Sequence, residues 1–110
     1  MIVNDIIKKL KDEPCDDPKV ISDYLIQLSA SLYTATEMEA DLEVGYCRKW
    51  EEIRNSAEMT DKMAEMKAKQ TEAWRDWRTA KNTNITIIEV IRALKRKLRN
   101  LEIIYNENLN

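Results

Sequence analysis

Between residues 59 and 105 one stripe of side chains returns at alternating steps of four and three. It reads Met59, Met63, Met66, Gln70, Ala73, Trp77, Ala80, Asn84, Ile87, Ile91, Leu94, Leu98, Leu101 and Tyr105. A strand turns its side chains over at every second residue, so only a helix gathers such a set on one face. A stripe this long and this narrow calls for another helix alongside it. Turn formers are scarce, with one Gly and two Pro in 110 residues, and 35% of the chain is charged. That composition belongs to long helices and excludes a sandwich or an α/β sheet. The expected fold is all-α: a long antiparallel, coiled-coil-like helical hairpin with a short N-terminal helix, assembling into a bundle. Length leaves room for one domain.

The remaining helices follow from the same rule. Ile2, Val3, Ile6, Ile7 and Leu10 mark a short helix over about 2–12, which has to end before Pro14. Asp17 followed by Pro18 is a helix start. From there Ile21, Leu25, Leu28, Leu32, Ala35, Glu39, Leu42, Tyr46, Lys49 and Ile53 form a second stripe over about 18–54, with Glu39 and Lys49 as polar interruptions. Glu39 needs a partner or an exposed setting. Gly45, inside this stripe, suggests a close crossing or a bend. The two stripes are out of phase, and Asn55 with Glu58 resembles a capping box. The hairpin turn is therefore expected near 54–57, with a long helix over about 57–107. A second break at 82–86 is the alternative, since Asn82, Thr83, Asn84 and Thr86 are poor helix formers, but the heptad phase passes through undisturbed. The longer third helix should overhang the second, and the short first helix would cover it.

Histidine is absent, which removes the commonest general base and the commonest zinc ligand. A phosphate loop needs several glycines, and Gly45 stands alone. The chain is not expected to be an enzyme or to carry a cofactor or metal. One alternative survives: a Mg²⁺-dependent, all-α nucleotide pyrophosphatase-like enzyme using carboxylates one turn apart, with Glu39 and Glu43, Glu51 and Glu52, or Glu58 and Asp61 as donors. Solvated charges pairing with Lys and Arg account for the same acids. Cys15 and Cys47 form no CxxC pair and read as free thiols. No stretch has the apolar length of a secretory signal or a membrane span, so a cytoplasmic protein with no membrane contact is expected. Asn84-Ile85-Thr86 fits a glycosylation sequon by chance.

Charge is unevenly spread. Residues 1–59 hold seven Lys/Arg against thirteen Asp/Glu, and the remainder holds eleven against seven. The two halves can neutralise each other in a hairpin or a dimer, or the basic half can face an acidic partner. The candidate binding residues are Trp74, Arg75, Arg78, Arg92, Lys95, Arg96 and Arg99. The last four stand at i, i+3, i+4 and i+7 and share one helix face. Trp and Arg anchor protein interfaces, and the same pair can stack on bases and track phosphates. A core Trp77 beside a soluble cationic face explains them without any partner. Met59, Met63 and Met66 are expected in the core, with adaptable packing against a partner as the other reading. The resulting expectation is a non-enzymatic protein-binding chain that also forms a homo-oligomer, a dimer, with nucleic-acid binding through the basic face as the alternative.

The stretch Leu32-Tyr33 through Glu37 to Glu43, the Tyr46…Trp50 segment and the closing Ile91-Arg92-Ala93-Leu94-Lys95-Arg96-Lys97-Leu98 resemble, in pattern, small helical-hairpin accessory proteins of tailed bacteriophages and prophages. The resemblance covers about residues 20–105. It implies a role in a host-cell cytoplasm, on replication or recombination factors or against a defence enzyme such as a CRISPR nuclease. It carries no site residue with it, and the acidic front half departs from a dedicated DNA binder.

Overall fold

The structure is a computed structural model that describes residues 2–12 and 15–109. Among the described residues four helices follow in order: α1 (Ile2–Asp12), α2 (Pro18–Ser56), α3 (Asp61–Ala68) and α4 (Glu72–Leu109). Among the described residues there is no strand, and the fold is all-α. Asp17 starts α2 as its sequence suggests: its carboxylate accepts from the Lys19 amide at 3.0 Å and its carbonyl from the Ile21 amide at 3.1 Å. Pro18, first in the helix, has no amide hydrogen to leave unpaired.

The expected single helix over 57–107 is corrected at two points. Residues 57–60 are not helical, and Thr60 rather than Asn55 is the cap, its hydroxyl accepting from the Met63 amide at 3.2 Å. Arg54 spans the turn with a 2.7 Å ion pair to Asp61. A second interruption falls at 69–71, where Thr71 donates to the Ala68 carbonyl at 2.6 Å and accepts from the Trp74 amide at 3.4 Å. Helix α4 then runs through 82–86 unbroken. At 39 and 38 residues, α2 and α4 are nearly equal in length.

The chain divides into two compact units that share α2 and α4. The first contains α1, α2 as far as Tyr33, and α4 from Ile85 onward. Val3 and Ile6 of α1 meet a core of Ile21, Leu28, Ile87, Ile91 and Leu94. Ile21, Leu28 and Ile87 are fully buried, each contributing about 1.5–3 kcal/mol by removal from water. Lys97 of α4 pairs with Asp16 at 3.3 Å, just ahead of α2, and Pro18 shares an open depression with Leu101 and Tyr105. The end of α4 thus lies beside the start of α2, and the pair is antiparallel.

The second unit contains α2 from Thr34, α3, and α4 as far as Asn84. Asn84 faces Ala35 and Glu39, and Trp77 faces Tyr46, so α2 and α4 are antiparallel here too. In α3 the buried residues are Ala64 and Ala68. Met63 and Met66 are exposed, contrary to the expected methionine core, because the restart at Thr60 turns the helix onto its alanine face. Gly45 makes no close crossing: a Cβ there would meet nothing within 4 Å, and α2 continues through it.

Candidate interaction surface

The inner seam of the second unit occupies the polar residues that the stripes left unexplained. Glu39 and Asn84 are polar interruptions in two mainly apolar stripes, and the antiparallel register brings them together. The Asn84 side-chain amide donates to the Glu39 carboxylate at 3.3 Å and to the Ala35 carbonyl at 3.2 Å. Asn84 is 4% exposed, which removes it as a glycosylation acceptor in the folded chain. Its own Oδ1 is buried without a hydrogen-bond partner among the described residues. A polar pair inside an apolar seam fixes register, because a shifted pairing would leave both groups against hydrocarbon.

One heptad earlier, Trp77 stacks on Tyr46 with centroids 5.2 Å apart and planes 21° apart, within the offset-stacked range. Burial pushes the Tyr46 hydroxyl above its ordinary pKa of 10.0; the nearby Lys69 charge opposes this, while Glu65 and Cys47 add to it. The Trp77 indole N–H is buried and unpaired among the described residues, and Lys81 lies over its ring at 5.6 Å. Trp74 is half-buried with the Arg78 guanidinium 5.9 Å from its ring centre. Each indole is thus flanked by the cation four residues on, one turn along the helix, and Trp77 is further covered by Tyr46. Trp77, held between Tyr46 and Lys81, does not offer the open ring that base stacking requires.

The seven candidate residues do not form one group. Trp74, Arg75 and Arg78 belong to the second unit; Arg92, Lys95, Arg96 and Arg99 belong to the first. The latter four are all exposed, and among the described residues none enters an ion pair. Lys97, on another side of the same run, is the cation that neutralises Asp16. These four charges lie within eight residues, about 10 Å of helix, which is close to one Debye length at 0.1 M salt. A facing surface therefore meets their summed field.

In the sequence Ile103 joins Ile88 and Ile104 in a second apolar strip, but Ile85 and Ile103 are not recognised there as the two ends of this face. Ile85 and Ile103, 46% and 49% exposed, stand on the same stripe as Arg92, Arg96 and Arg99, at steps of seven, four, three and four. Glu89 is the one acid among them. Alternating steps of four and three on the outward side of α4, with isoleucine at both ends, would have shown it.

One carboxylate of each pair named for the metal-enzyme alternative is engaged elsewhere. Glu39 holds Asn84, Glu52 pairs with Lys49 at 3.5 Å, and Asp61 pairs with Arg54. Among the described residues no group of three or more acids and cysteines could hold a metal ion. Cys15 and Cys47 are free, and among the described residues no helix is long and apolar enough to cross a membrane. No family model, curated protein or solved structure matches the chain.

Proposed function

We propose that this chain is a non-enzymatic binding protein that engages an acidic protein surface through the outward stripe of α4, from Ile85 to Ile103. One observation carries the reading. Arg92, Lys95, Arg96 and Arg99 are exposed on one helix face without a neutralising partner among the described residues, and exposed isoleucines bracket them. Cations rimmed by apolar side chains suit a protein surface, where charge steers the encounter and burial of the apolar ends slows release. A phosphate backbone has nothing to offer the isoleucines. The net charge of −2 and the pI near 5.3 also set the chain apart from the strongly basic domains that bind nucleic acid. The pattern resemblance to phage accessory proteins supports placing the partner among host replication, recombination or defence proteins.

The test compares the full chain with Arg92→Ala/Lys95→Ala/Arg96→Ala/Arg99→Ala, titrated with an acidic polypeptide carrying interspersed leucines and with duplex DNA of matched charge. The reading expects the polypeptide to be bound more tightly than DNA. That binding should weaken with salt and vanish in the variant. Tighter DNA binding would transfer the stripe to nucleic acid. Equal binding by both proteins would end the proposal.

A further inference from the structure

We infer that the occupant of the α4 stripe is one amphipathic helix of a partner protein, whose facing side chains run apolar, acidic, acidic, acidic, basic, apolar from its N-terminus. This rests on the reading of that stripe as a contact surface, and it specifies the shape and charge order of what binds there.

The stripe is regular enough to favour one shape. Ile85, Glu89, Arg92, Arg96, Arg99 and Ile103 follow one another by four, three, four, three and four residues, and all six are exposed. Those steps total 18 residues, five whole turns, so Ile103 stands in line with Ile85 about 27 Å along α4. Six positions over that length are about 5.4 Å apart on average, the pitch of a helix. A helix lying along α4 therefore offers one facing side chain for each position. An extended segment turns a side chain to the same side only about every 6.8 Å and sets five against six. Its charges slip out of step within the stripe.

Charge then fixes the order. Arg92 and Arg96, four residues apart, and Arg96 and Arg99, three apart, repel each other along the helix and enter no ion pair among the described residues. Lys97 of the same run is by contrast neutralised within the fold, by Asp16 at 3.3 Å. Three successive acids on the partner relieve the repulsion among the arginines. Glu89 calls for a base at the next position, since a fourth acid would meet a like charge there. The exposed isoleucines at both ends take apolar side chains. Antiparallel docking puts the partner's acids towards its own N-terminus and its base towards its C-terminus, as the helix macrodipole favours. A contact of five turns belongs to the small, transient class of interfaces, and salt should weaken it.

The experiment measures binding of the full chain to three labelled synthetic peptides by fluorescence anisotropy. The first is a helix of alanine and glutamine whose facing positions read leucine, glutamate, glutamate, glutamate, lysine, leucine. The second has the same composition with the lysine and the central glutamate exchanged, which sets lysine against Arg96 and glutamate against Glu89. The third keeps the first order but carries prolines on its far side, with loss of helicity checked by circular dichroism. Wild type should bind the first roughly tenfold more tightly than the second, because two attractive pairs become repulsive ones, and should bind the third weakly. Glu89→Arg/Arg96→Glu, which leaves the net charge unchanged, should reverse the preference between the first two. Equal binding of the first two by wild type, an unreversed preference in the swapped protein, or tight binding of the third overturns the inference. Arg92→Ala/Lys95→Ala/Arg96→Ala/Arg99→Ala separates it from the reading beneath. If that variant loses peptides that wild type binds without regard to order or helicity, the contact surface stands and the helical partner falls. If it binds them as wild type does, both fall. Wild type that takes up none of the peptides also overturns both, and a sedimenting mass above 13.0 kDa would then give the stripe to a second copy.

Discussion

Replacing Gly45 by alanine should make this protein more stable by about 1 kcal/mol. The residue sits inside the 39-residue α2, and its backbone angles are those of an ordinary helix, with no positive φ. An added Cβ would meet no atom within 4 Å, so the substitution incurs no steric cost. What remains is the intrinsic difference between the two residues in a helix interior, about 0.8–1.0 kcal/mol in favour of alanine. Part of that difference acts on the unfolded chain, which loses conformational freedom when glycine is replaced. For a chain of this size the gain corresponds to a rise in Tm of roughly 4–6 °C. Urea unfolding followed by helicity is the assay, with the midpoint moving up and the slope unchanged. Gly45→Gln extends the test, since a long side chain also fits open space and glutamine is a good helix former. A loss of stability in either variant would refute the reasoning, because it would mean that α2 meets a neighbour at this position.

Three further outcomes are expected. Asn84→Asp should destabilise by at least about 2 kcal/mol at neutral pH, since it sets a second carboxylate against Glu39, and acidification should restore part of the loss as one carboxyl regains its proton and donates; chemical unfolding at two pH values checks this. Burial raises the Tyr46 pKa, so in the window from 10.0 up to that raised value the unfolded chain has lost a proton that the folded chain keeps. Stability from this group is therefore complete below pH 10.0 and falls as pH rises through the folded value, and Tyr46→Phe should flatten that part of a stability profile. Thr71→Ala removes the hydroxyl that accepts from the Trp74 amide at the start of α4, and should cost about 1 kcal/mol in thermal unfolding.

Periodicity made the helices legible wherever it was long and uninterrupted. From Ala73 to Leu101 the inward stripe of α4 is buried or half-buried at every position, and Asp17 with Pro18 marks the start of α2. The stripe misled at Met63 and Met66, where the heptad count continued across two helix breaks that carry neither glycine nor proline. Thr60 and Thr71 end those breaks by local hydroxyl capping, a signal too common in sequences to stand out beforehand. Glu39 was recognisable as a residue in need of a partner, but its match with Asn84 depends on the register between two helices, which neither stripe specifies alone. The cations at 92–99 were visible as a helix face. Their separation from Trp74, Arg75 and Arg78 was not, because division into two units depends on tertiary packing.

Under the proposed function, the inner seam of the long helices is structural and the outward side of α4 is the place of binding. The most direct test of this is a nuclear magnetic resonance titration of the labelled full chain with the leucine-bearing acidic polypeptide. The Nε–H signals of Arg92, Arg96 and Arg99 and the methyls of Ile85 and Ile103 should move together, while the Trp77 indole and the Asn84 side-chain amide stay in place. Movement centred on Trp77 and Asn84, with the arginine signals unchanged, would contradict it.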